Sequence, residues 1–334
     1  MGGRSVGRRR CHDDCVGTSK AGLIRRMGPD ARANFDYGRK PMRLQKNIFW
    51  LLTLLFLDMF AAALVTASSA DKNCDRECLR GFITKYLDAM RAHDPGLLPR
   101  SSGLKFTEDS EPMKLGEGLW KSVSGIRPYR RDVLDVPQGI AASKVVVEEG
   151  GSPVLLQLRL KVVDRKITEV ETMTVRNQKE GGLFNPTALR ESSQGMSFVP
   201  GRAQIASREE MVKVSEIYPA GLKVGSFVTV DAPFGPDAYR IENGEVRAGF
   251  GCTLPTCDIK TQKMIKHPGI NYRVAAVDED LGIVLMRLDF GETSSYGPGR
   301  TLVVWEEFKV YGGMIHAVEA FIRYMPSSKG SGWE

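Results

Sequence analysis

Apolar side chains at Leu79, Phe82, Ile83, Tyr86, Leu87 and Met90 recur at helical spacing, which predicts an amphipathic helix from Arg76 to Ala92. His93-Asp94-Pro95 supplies its stop. Farther along, the period falls to two. Val154, Leu156, Leu158, Leu160 and Val162 share one face of a strand, and Leu155, Gln157, Arg159 and Lys161 share the other. Between these elements a strand carrying Phe106 and Thr107 runs into Glu108 and Asp109, and alternation turns Glu108 outward.

The same pattern occurs twice. "LKVVDRKITEVETMTVR" (160–176) aligns without a gap to "FKVYGGMIHAVEAFIRY" (308–324), each a strand, a short turn and a return strand. "LDVPQGIAASKVVV" (134–147) matches "VDEDLGIVLMRLDF" (277–290), and "KFTED" (105–109) is set against "FVTVD" (227–231). A second helix is predicted from Arg208 to Tyr218, cut by Pro219. These repeats predict two tandem α+β domains, 71–180 and 205–326, each with helices packed on a curved antiparallel sheet to make a cone. Residues 181–204 read as a linker, and 327–334 as a disordered tail. Glu171 and Glu319 share a place in the last strands; pairing with an arginine is expected, Arg159 being the candidate for Glu171.

Charge changes little in this picture once it is located. The net charge is +7 over 334 residues. Residues 1–41 contribute six of these charges, and Arg43, Lys46 and Asp58 one more, so the domains are neutral. No nucleic-acid partner is expected, because counterion release would have nothing to act on. From Met42, a short basic start, a long apolar run and "VTASSA" read as a secretory signal over 42–70, behind a disordered basic leader at 1–41. A membrane anchor is the competing reading, since Ile48 to Ala67 is long enough to span; Asp58 within the run opposes it.

Beyond the signal stand four cysteines, Cys74, Cys78, Cys252 and Cys257. In an exported chain they are expected in two disulfides, with three pairings open. Cross-linking the first helix to the late loop would join the two halves. Beyond the signal, three scattered histidines make a histidine metal centre unexpected, and no nucleotide-binding or nucleophile-elbow motif occurs. No cofactor is expected.

A helix with Tyr86 ahead of His-Asp-Pro, a strand ending Thr107-Glu108-Asp109 and the hairpin "DRKITEVE" resemble the ketosteroid-isomerase and SnoaL-like branch of the nuclear transport factor 2-like superfamily. "CDRECL", "FTED" and "LGEGLW" also resemble secreted fungal and bacterial proteins of that type. The resemblance implies a cone fold, with Tyr86 as an oxyanion hydrogen-bond donor and Asp109 as a general base. Trp120 would wall the pocket. The second oxyanion donor of the isomerases, an aspartic acid, has no match here; Gln157 and Arg159 stand nearest. Each residue also has a structural reading: Tyr86 and Trp120 as core, Asp109 as a polar turn.

Three functions are therefore carried forward. The first is a secreted, cofactor-free isomerase or lyase moving a proton on an apolar or aromatic substrate. The second is a secreted protein that holds a small hydrophobic molecule without turning it over. The third is a structural pair in which the two copies pack as an intrachain pseudo-dimer.

Overall fold

A computed structural model of the chain describes residues 74–189 and 194–333. The basic leader and the signal segment lie outside the described residues. Helix α1 (Arg76–Arg91) is capped by Asp75, whose carboxylate accepts from the Cys78 amide. It buries Leu79, Phe82, Ile83, Tyr86, Leu87 and Met90, the predicted stripe. Helix α2 (Arg208–Val224) opens with a Ser207–Glu210 capping box and ends at Gly225 in a left-handed cap. It was expected to stop at Tyr218, but Pro219 lies inside it. A proline forfeits one amide hydrogen bond, and the helix, with Tyr218 and Leu222 buried on either side of it, absorbs that loss.

Each half carries one six-stranded sheet. The first comprises β1 (Arg100–Glu108), β2 (Glu111–Pro112), β3 (Val123–Asp135), β4 (Ile140–Glu149), β5 (Ser152–Val163) and β6 (Lys166–Val175), in the order β2-β1-β6-β5-β4-β3. The second comprises β7 (Phe234–Glu242), β8 (Glu245–Ala248), β9 (Asn271–Asp278), β10 (Ile283–Asp289), β11 (Arg300–Tyr311) and β12 (Met314–Pro326), in the matching order β8-β7-β12-β11-β10-β9. The α+β class and the tandem layout agree with the sequence reading. The sheets, expected to be antiparallel, are mixed: β1 runs parallel to β6, and β7 to β12. Both predicted hairpin turns form, with positive φ at Asp164 and Arg165 and at Gly312 and Gly313.

One element was misplaced. Residues 227–231, set against the end of β1, form turns, and the second copy's counterpart of β1 is β7. The ladders give the true correspondence. Thr107 sits beside Glu171 and Ile241 beside Glu319, so Phe106, Glu108 and Asp109 match Arg240, Glu242 and Asn243. The central ladders match Leu158 to Glu306 and Arg159 to Glu307.

Three apolar clusters fill the molecule. One joins α1 to the inner face of the first sheet, and a second joins α2 to the inner face of the other. The third lies between the sheets and draws from both, with Val133, Leu155 and Met173 against Leu285, Trp305 and Phe321. The sheets are also tied by a reciprocal pair of bridges. Arg76 at the start of α1 holds Asp278 at 2.7 Å, and Arg208 at the start of α2 holds Asp135 at 2.6 Å. Each aspartate also accepts a backbone amide from the other half, Leu134 for Asp278 and Val277 for Asp135. The disulfides are both local, Cys74–Cys78 and Cys252–Cys257, so neither joins the halves. The tail does reach across: the Trp333 indole donates to the Thr107 hydroxyl at 2.9 Å.

Candidate functional site

The first copy brings two of its predicted site residues together. Tyr86 is fully buried, and its hydroxyl accepts a hydrogen bond from the Trp120 indole at 2.9 Å. The rings meet edge to face, with centroids 5.2 Å apart. Burial drives the Tyr86 hydroxyl far above its ordinary range, so it stays protonated. Around the pair lie Phe106, Leu119, Leu156 and Leu158, and one buried acid, Glu108, whose charge would also push the Tyr86 hydroxyl up.

The other three predicted residues lie elsewhere. Gln157 and Arg159 point from the opposite face of β5, toward the second sheet. Arg159 pairs with Glu169 at 2.8 Å rather than with Glu171. Glu171 does find arginine partners, but across the interface, in Arg273 and Arg287. Asp109 follows the strand in a left-handed turn, with φ of 51°. Its carboxylate accepts from the Thr174 amide at 2.8 Å and the Thr174 hydroxyl at 2.9 Å, with Arg323 of the second half 3.6 Å away. Glu108, expected outward, is buried instead. It accepts from the Leu119 amide and, desolvated and beside Asp109, is pushed up to about 7. The glycine of "LGEGLW" makes this possible: a side chain on Gly118 would collide with the Glu108 carboxylate.

The second copy has a different interior on the same frame. Tyr218, the counterpart of Tyr86, is again fully buried. Where the first copy has Phe106 and Leu158, it has Arg240 and Glu306, both on the inner face of the sheet. The Glu306 carboxyl hydrogen-bonds Tyr218 and is pushed up to about 8, chiefly by burial. One of its oxygens has no hydrogen-bond partner among the described residues. The Arg240 guanidinium lies 3.5 Å from the Tyr218 hydroxyl, donates to Gln262 at 2.8 Å and pairs with Glu242 at 3.1 Å.

Residues 249–270 close this interior. They contain no strand or helix, carry the Cys252–Cys257 disulfide, and send in Ile259, Gln262 and Met264. The Gln262 amide is anchored by donating to the carbonyls of Arg247 and Thr256, both at 2.6 Å. In chemical terms the cluster is a neutral carboxylic acid, a hydroxyl donor and a guanidinium around one point, shielded from water. Such a set can donate a proton and steady a developing negative charge.

Sequence reasoning passed over Arg240 and Glu306. The signal for Glu306 was present: in "VVWEEFKV" it alternates with Val304, Phe308 and Val310, all apolar, so an acid is carried on a core-facing register. Arg240 was hidden by the misplaced strand. Among the described residues, no three His, Cys, Asp or Glu side chains group as a metal ion would need.

A family model described as a domain of unknown function (DUF8021) matches residues 204–322, the span of the second copy. No curated protein matches the chain.

Proposed function

We propose that the protein is a secreted, cofactor-free acid–base protein for small carbonyl-bearing molecules, with its working interior in the second copy. The observation that carries this reading is the replacement of Phe106 and Leu158 by Arg240 and Glu306 around an otherwise equivalent tyrosine. An enclosed arginine and carboxylic acid contribute little to stability that a Phe–Leu pair would not. Their retention around a buried hydroxyl fits chemistry, a strongly perturbed carboxyl in an enclosed site being a mark of function. In this reading Tyr218 and Arg240 polarise a carbonyl oxygen, Glu306 exchanges the proton, and residues 249–270 move aside to admit the substrate. The first copy, which has the buried Glu108 near its tyrosine but Phe106 and Leu158 in place of the Arg240–Glu306 pair, serves as the packing partner. The cone shape and the isomerase-like chemistry suggested by the resemblance belong to this proposal, and two disulfides suit the oxidising route of a secreted chain.

The structural alternative, an intrachain pseudo-dimer of the two copies, is favoured by one observation, the reciprocal Arg76–Asp278 and Arg208–Asp135 bridges. A thermal-shift panel of steroid, phenolic and polyketide-like ketones on the oxidised chain separates the two. Stabilisation by one class, with proton exchange at the carbon next to the carbonyl lost in Glu306→Gln and kept in Asp109→Asn, supports the acid–base reading. No shift from any class leaves the pseudo-dimer as the function.

A further inference from the structure

The interface between the sheets contains two related clusters of charge, and they differ. In one, Arg131 and Lys144 of the first half meet Glu307 and Glu319 of the second. Arg131 reaches Glu307 at 2.6 Å and Glu319 at 2.5 Å, Lys144 reaches Glu307 at 2.9 Å, and all four are buried. Two cations face two carboxylates. The related cluster follows from the ladders, since Arg131 pairs with Lys144 as Arg273 pairs with Arg287. There Arg273 and Arg287 of the second half both face Glu171 of the first. The place of Glu307, however, is taken by Arg159.

The second cluster thus has a guanidinium where the first has a carboxylate, and it borders a cavity of about 320 Å³. Arg273, Arg287, Asn271, Tyr272 and Trp333 line it. Arg159 and Lys105 approach the ring of Trp333, with centroid distances of 5.8 and 4.2 Å. Two cations, Arg273 and Arg287, line the cavity with Asp289; both pair with Glu171, and Arg287 also donates to the Ser110 hydroxyl at 2.9 Å, while Arg159, paired with Glu169, and Lys105 stand behind the Trp333 ring. Asp289 is at the far end: its strand neighbours are Asn271 and, one step inward on the same face, the Arg273–Arg287 pair.

We infer that this cavity binds a small carboxylate that also carries a hydrogen-bond donor, such as an aromatic hydroxy acid. Its carboxylate takes the role that Glu307 plays in the related cluster, against Arg273 and Arg287, in the paired geometry that guanidinium groups favour. Its hydroxyl is directed to Asp289 and Asn271. Its apolar body lies on Trp333 and Tyr272. The volume suits a molecule of about this size. The site is separate from the second copy's interior and does not depend on its chemistry.

The test is ligand-observed NMR on the full oxidised chain with phenyllactate, and with phenylacetamide as the uncharged control. Phenyllactate is expected to bind in the millimolar range or tighter, and phenylacetamide not to bind. Arg273→Met should weaken phenyllactate at least tenfold, Glu171 keeping Arg287 as its partner; the exposed Arg91→Met should change nothing. Should Arg273→Met fail to fold, Trp333→Ala reads the same site and is expected to weaken binding several-fold. Equal binding of acid and amide, no binding of either, or full affinity in both variants overturns the inference.

Discussion

The two copies share a frame and differ in what they enclose. Tyr86 and Tyr218 hold the same place on matching helices, but one meets Trp120 among leucines and the other meets Glu306 and Arg240. The frame is fixed by the backbone ladders and the apolar stripes, which tolerate exchange of an inner pair. Polar chemistry in one copy costs little when the other supplies half of the intersheet core. A duplicated domain can therefore divide its tasks, with one copy packing Phe106 and Leu158 beside its helix tyrosine and the other free to place an arginine and an acid there.

The sharpest way to break that comparison is at the interface itself. Arg131→Met leaves Glu307 and Glu319 with Lys144 as their only remaining cation among the partners described above, in a fully buried place. We expect a loss of about 3–5 kcal/mol in urea unfolding, the usual cost of orphaning a buried charge. Arg273→Met removes the related residue, but Arg287 stays with the buried Glu171, and Arg273 itself is partly exposed. Its cost should be about 1 kcal/mol. Equal losses would mean that the two clusters are equivalent.

The interiors separate by pH. Glu306 is raised from 4.5 to about 8, and Glu108 from 4.5 to about 7. A carboxyl with a raised folded pKa binds its proton more tightly in the native state than in the unfolded one. Its contribution is thus complete below the unfolded pKa and lost as pH rises through the folded one. Through these two carboxyls stability should fall between about pH 4.5 and 8, while His267, lowered from 6.5 to about 4 by burial, acts the other way below about pH 6.5. Glu306→Gln should flatten this fall by a few kcal/mol, including its last part between pH 7 and 8. Glu108→Gln should flatten only the part below about pH 7. Chemical denaturation at a series of pH values measures both, and an unchanged slope above pH 7 in Glu306→Gln would remove the raised acid.

Much of the frame was legible in the sequence because it depends on period. The α1 stripe, the alternation of β5, the two hairpins and the match of Asp135 to Asp278 all follow from side-chain direction alone. The counterpart of β1 was not. "FVTVD" looks like "KFTED", but the chain turns there and pairs only from Phe234, because that pairing depends on the partner β12 rather than on local propensity. That slip assigned Asp231 to the place of Asp109 and concealed Arg240. Glu171 was legible as arginine-paired, but its partners come from another sheet, which no local pattern contains. Tyr86 and Trp120, read apart in the sequence as an oxyanion donor and a pocket wall, meet each other directly. Asp109 was tied to them by resemblance, and strand geometry turns it to the other side.

The smallest effect decides what Asp109 is for. Its true counterpart is Asn243, also in a left-handed turn, with φ of 47° against 51°. Asn243 accepts from the Ile322 amide at 2.9 Å, as Asp109 accepts from Thr174 at 2.8 Å. The shared task is to hold an edge turn against the neighbouring strand, and it needs an acceptor rather than a charge. Asn243 also donates to the carbonyls of Leu183 and Ile322. Asn243→Asp should therefore cost about 2 kcal/mol, since a buried carboxylate would face two carbonyl oxygens. Asp109→Asn keeps its acceptor and can donate to the Thr174 hydroxyl, losing only the 3.6 Å contact with Arg323. Its expected cost is about 0.5 kcal/mol, read from the urea midpoint at neutral pH. If instead Asp109→Asn leaves the midpoint alone and abolishes a ligand-dependent proton exchange that Glu306→Gln retains, the working interior belongs to the first copy and the division of labour is reversed.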